Sequence, residues 1–122
     1  KMRITKIAIV GSEIINEPEE DIIDVIEQAP WLPLDSNDTV ITKHHGDMSN
    51  AAKRVANTYG AWCDVVYFGD QLGGVSVPKE NTQIVEDAEA FVIIWNGVDN
   101  ETADLLRKAI ESGKPLFLER IP

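Results

Sequence analysis

The segment Phe91–Leu118, read as FVIIW-NGVD-NETADLLRKAIES-GKP-LFL, decides the fold. It opens on five consecutive apolar residues, Phe91 to Trp95, a short run typical of a strand buried on both faces. Asn100 to Ser112 then carries Ala103, Leu106, Ala109 and Ile110 at helical spacing, predicting an amphipathic helix with these four inward and Gly113 as its stop. Leu116-Phe117-Leu118 reads as a second strand. A strand, a helix and a strand in that order leave no room for a hairpin, so the two strands run parallel with the helix crossing between them.

The same alternation extends back to the start of the chain. Ile4 to Val10 is a β-branched apolar run that ends at Gly11-Ser12, a buried first strand. Glu19 to Gln28 sets Ile22, Ile23 and Ile26 on one helical face, and its first turn holds Glu19, Glu20 and Asp21, where the helix dipole favours acids. Pro30 and Pro33 end that helix. Thr39 to Thr42 is a second strand, Ser49 to Tyr59 a helix closed by Gly60, and Val65 to Phe68 a third strand. Gly69 to Pro78 reads as a glycine-rich loop and Glu80 to Ala88 as a weaker helix. The expectation is one α/β domain over residues 1–122: a Rossmann-like, doubly wound, parallel five-stranded sheet in three layers.

Composition restricts what such a domain does. The chain has 122 residues, 43% hydrophobic and 26% charged, the balance of a soluble globular domain. Its formal charge of -10 opposes binding to nucleic acid and to anionic membranes, and its apolar runs are too short to span a bilayer. One cysteine and no evident secretory signal point to a cytoplasmic protein, with Cys63 as a buried structural thiol. Three tryptophans, Trp31, Trp62 and Trp95, are many for this length and suggest a homo-oligomer.

In open parallel sheets a ligand binds beyond the carboxyl ends of the strands, where the strand order reverses. If the first three strands wind one way and the last two the other, Gly11-Ser12-Glu13, Trp95-Asn96-Gly97 and Lys43-His44-His45-Gly46-Asp47 meet there. Gly11 alone reads first as a turn glycine, and no G-x-G-x-x-G follows it, so dinucleotide binding is unsupported and no cofactor is expected. His44 and His45 have only Asp47 near them, too few ligands for a metal. Lys43, just before a helix N-terminus, suits either solvent or an anionic group. Asn81 serves either as a helix cap or in the site.

Taken together, these stretches resemble the SLOG superfamily, particularly its small Rossmann-like branch related to YspA and YpsA. That superfamily also holds the LOG-type nucleoside-monophosphate phosphoribohydrolases and is related to DprA and Smf domains. Val10-Gly11-Ser12 matches the family's first strand end, and Gly113-Lys114-Pro115 its last strand entry. Counting back from Gly60 places Thr42 to Ser49 on the family's S-G-G-A-R-G-A-D motif, with Ala52 and Ala56 on the helix alanines. Glu80-Asn81-Thr82-Gln83-Ile84 falls on R-N-x-x-M, and Gly97 to Thr102 on G-x-S-x-G-T. The departures are specific: Lys43 and His44 replace paired glycines, Glu80 an arginine, and Glu101 the glycine before Thr102.

The resemblance implies a site for a nucleotide or nucleotide-derived small molecule, without strong catalysis. Its ligand-binding residues would be Gly11, Ser12, Lys43, His44, Gly46, Asn81, Asn96, Gly97 and Thr102, with Lys43 and Thr102 lining one crevice. One alternative is an enzyme that cleaves or transfers an N-glycosidic bond, with Glu101 or Glu80 stabilising a ribosyl cation. Another is an interaction protein with a dead pocket, of the kind a phage or mobile element encodes.

Overall fold

A computed structural model of the chain describes residues 3–69 and 76–122. Nine elements follow in order: β1 (Lys6–Gly11), α1 (Glu19–Ile26), β2 (Thr39–Lys43), α2 (Asp47–Tyr59), β3 (Trp62–Val66), α3 (Ser76–Asp87), β4 (Ala90–Trp95), α4 (Asn100–Ser112) and β5 (Leu116–Arg120). The sheet has five strands in the order β3-β2-β1-β4-β5, and every neighbouring pair is parallel. The reversal of strand order therefore lies between β1 and β4, where Gly11 pairs with Ile94.

Alternation along the central strands builds two cores. Ile7, Ile9, Val40, Val92 and Ile94 face α1 and α2, meeting Ile22, Ile26, Met48, Ala52 and Val55. Ala8, Val10, Ile41, Phe91 and Ile93 face α3 and α4, meeting Ile84, Ala88, Leu105 and Ala109. Small residues on α2 (Ala51, Ala52 and Ala56) let that helix lie close on the strands. This is the three-layer, Rossmann-like arrangement expected of strands that are apolar throughout.

Four local expectations are corrected. β3 begins three residues earlier than Val65 and stops at Val66, leaving Tyr67 and Phe68 beyond the sheet. It is an edge strand exposed from Trp62 to Val65, so Cys63 is exposed, not buried. The weaker helix starts at Ser76, with Pro78 in its first turn where no intrahelical amide is needed. Thus Ser76 to Pro78 are helix, not loop, and Asn81 is mid-helix, away from any capping position; residues 70–75 of that expected loop lie outside the described residues. In α4 the inward stripe is Thr102, Leu105 and Ala109, one position round from the expected face, and Ile110 is 60% exposed.

Lys114 explains the GKP turn. Its ammonium donates to the carbonyls of Val85 (2.7 Å), Glu86 (3.2 Å) and Ala88 (2.7 Å), supplying donors to the open C-terminal end of α3. Replacing Lys114 by Met keeps the stem and removes these bonds, so we expect a loss of about 1–2 kcal/mol in urea unfolding. An unchanged midpoint would show that water replaces the ammonium without cost.

Candidate functional site

The carboxyl ends of β1 and β4 are stitched together around Ser12, which is fully buried. Its hydroxyl donates to Asp99 Oδ2 at 2.5 Å and accepts from the Asn96 amide at 2.8 Å. Asp99 also caps α4, its Oδ1 accepting from the Thr102 amide at 2.7 Å. Asn96 spans the gap in turn: its Nδ2 donates to the Ile14 carbonyl, and its Oδ1 accepts from the Val98 and Asp99 amides. Burial works to raise the Asp99 carboxyl, but the hydrogen bonds from Ser12 and Thr102 outweigh it and hold the group below the usual carboxylate range.

Two glycines set how closely the loops approach. Gly46, at φ 106°, begins α2 in a conformation L side chains rarely adopt, and a Cβ there would lie 2.8 Å from Glu13 Cα. The loop after β1 therefore rests directly on the loop after β2, and Asp47 fixes it by accepting from the Ile15 amide at 2.7 Å. Gly97, at φ 86°, faces the Arg120 guanidinium on β5.

Above these loops lies a cleft of about 220 Å³ whose wall includes Glu13, Lys43, His44, Tyr67, Glu80 and Glu101. A second cleft of about 330 Å³, walled by Ile14, Asn96, Asp99 and Asn100, shares Glu13 and Glu101 with the first. Lys43 ends β2 and sits half-buried in the first cleft. Among the described residues no carboxylate lies within ion-pair distance of its ammonium. Burial pushes the Lys43 ammonium down, while the more distant Glu80, Glu101, Glu13 and Asp99 pull it up; burial prevails. Glu80 is buried and accepts from the Phe68 amide at 3.0 Å through Oε2.

Aromatic rings form the opposite wall. His44 stacks on Tyr67 with centroids 4.1 Å apart and an interplanar angle of 15°. His45 packs edge-on to His44, with its Nε2 2.6 Å from Glu13 Oε1. Among the described residues no group of three or more metal-ligating side chains converges.

The structure thus brings Lys43, His44, Glu80 and Glu101 to one cleft and Asn96 to its neighbour. Ser12 and Thr102 are buried as supports, so Thr102 does not line the crevice with Lys43, and its amide is taken by Asp99; Gly11 is half-buried against Ile94. Asn81 is fully buried and ties α3 to α4, donating to the Glu101 carbonyl (3.0 Å) and to Asp104 Oδ2 (2.9 Å). Asp99 and Tyr67 were missed by sequence reasoning. An Asp immediately before the helical run from Asn100 is the usual cap signature and could have singled out the first. Tyr67 lies just beyond β3, where it stacks on His44. Comparison of the chain with family models, curated proteins and solved structures finds no match.

Proposed function

We propose that this domain binds a nucleoside or nucleoside monophosphate at the carboxyl ends of β1, β2 and β4, without strong catalysis. The observation that carries this reading is one cleft holding Lys43, several carboxylates and an aromatic shelf at the reversal of strand order. The exposed face of the His44–Tyr67 pair suits a base ring. Glu13 and Glu101 accept hydrogen bonds from ribose hydroxyls, and Lys43 meets one anionic or carbonyl oxygen. A triphosphate would place several negative charges among Glu13, Glu80 and Glu101 and is disfavoured. The resemblance to the SLOG superfamily supports a nucleotide-derived ligand, and the altered positions Glu80 and Glu101 join Glu13 in making this cleft acidic.

Calorimetry with adenosine, AMP and ATP tests the reading. We expect adenosine and AMP to bind and ATP to be weakest, with the gap narrowing in Glu101→Gln. Lys43→Met should weaken AMP by about 1.5–3 kcal/mol, the scale of a charged hydrogen bond. ATP binding tightest to the native protein would refute the assignment.

We propose also that the protein self-associates through the edge of β3, where Trp62 is 71% and Val65 45% exposed. Light scattering should give a dimer that Trp62→Lys dissociates. A native monomer at high micromolar concentration would contradict this.

A further inference from the structure

We propose that the Lys43 amine is a nucleophile that condenses with the carbonyl carbon of a small hydroxyaldehyde, such as an open-chain sugar, held in the cleft with Glu13, Glu80 and Glu101. The inference rests on the cleft being a ligand site, as proposed above, but not on the ligand being a nucleoside.

Three features of the cleft carry it. Lys43 stands at the end of a central strand, so its backbone is fixed by pairing with Val66 and its amine has a defined reach. The other half-buried lysines among the described residues are otherwise employed: Lys53 donates to the His44 carbonyl, Lys108 binds Asp104, and Lys114 caps α3. The Lys43 amine, by contrast, faces the cavity with no carboxylate in ion-pair contact among the described residues, and its burial favours the neutral, nucleophilic form. Glu101, on the first turn of α4, lines both clefts and is exposed, so its carboxyl is open to a ligand. Glu80 is anchored through one oxygen by the Phe68 amide, and Glu13 through one oxygen by His45.

The chemistry balances within that set. The Lys43 nitrogen lone pair forms a bond to the carbonyl carbon, and the C=O π pair moves to oxygen, which takes up a proton. The proton that the nitrogen loses passes to the Glu101 carboxylate, giving a neutral carbinolamine. Glu101 then returns that proton to the departing hydroxyl, the C–O bond breaks to release water, and the nitrogen lone pair forms the C=N bond of a protonated imine. No oxidant or reductant is required for this step, and the acids serve hydroxyl groups on the rest of the sugar.

The test is reductive trapping of the whole protein with D-glyceraldehyde and cyanoborohydride near pH 7, read by peptide mass mapping. Lys43 should carry the adduct severalfold faster than exposed Lys79, because its burial favours the neutral amine. Glu101→Gln should slow trapping at Lys43 severalfold and leave Lys79 unchanged. Lys43→Arg, checked for native circular dichroism, should abolish the fast adduct. Equal labelling of Lys43 and Lys79, or a Glu101→Gln variant trapped at the native rate, would overturn the inference. Adenosine titration separates the two proposals: unselective trapping together with saturable adenosine binding sinks this inference alone.

Discussion

Gly11→Ala should cost about 3 kcal/mol or more, enough to abolish the folded state if native stability is at the low end for a domain of this size. Gly11 ends β1 opposite Ile94, and a Cβ there would drive into the Ile94 carbonyl oxygen and come within 2.9 Å of Met48 Cγ. The first obstacle is backbone in a central strand, so no rotamer change relieves it. Moving Ile94 also breaks the bond its carbonyl accepts from the Ser12 amide at 3.1 Å. Urea unfolding measures the loss. A Gly11→Ala protein within about 1 kcal/mol of native would show that the β1–β4 junction yields more readily than a packed interior should.

Asp99→Ala should destabilise by about 3 kcal/mol, because one carboxylate performs two tasks. It caps α4 through the Thr102 amide, a contribution of about 1–2 kcal/mol. It also accepts from the Ser12 hydroxyl, whose burial leaves about 1–3 kcal/mol at stake when the acceptor is removed. Asp99→Asn keeps an oxygen for the cap and should lose roughly half as much. The pH dependence has a definite sign. The folded-state carboxyl lies below its unfolded value of about 3.9, so its contribution is complete above that pH and is lost as pH falls through the folded value. Native protein should therefore lose stability below about pH 4 by a margin that Asp99→Ala does not show. Parallel acid profiles for the two proteins would mean that the Ser12–Asp99 bond adds nothing in solution.

These two residues also mark how far the sequence was legible. The fold could be read because central strands buried on both faces are apolar throughout, as Phe91–Ile94 are, and because Gly60 and Gly113 stop their helices in left-handed conformations. Edge elements were harder. β3 is exposed from Trp62 to Val65 and buried only at Val66, so the apolar run that continues into Tyr67-Phe68 displaces the predicted strand towards the C-terminal side. The inward face of α4 was misjudged because Leu105 and Leu106 are adjacent, and periodicity alone does not decide which of them meets the core.

Within the site, topology located the crevice, since the loops after β1, β2 and β4 had to converge at the reversal. It did not separate residues that line the crevice from those that hold it together. Ser12 and Thr102 are polar residues beside the strand ends, yet their backbone amides and the Ser12 hydroxyl are spent on Ile94, Asp99 and Asn96. Polar side chains at strand ends serve a ligand or a neighbouring loop equally well by type. Only the partner distances distinguish the two, and those arise from contacts far apart in the chain.

The central claim is that the cleft around Lys43 holds a nucleoside or its monophosphate, and amide chemical shifts on titration with AMP test it most directly. The account predicts saturable shifts concentrated at Glu13-Ile14, Lys43 to Gly46, Tyr67 and Asn100-Glu101, much reduced in Lys43→Met. No shifts up to several millimolar AMP, or shifts centred instead on the apolar groove of Trp95, Leu106 and Ile110 along α4, would contradict it.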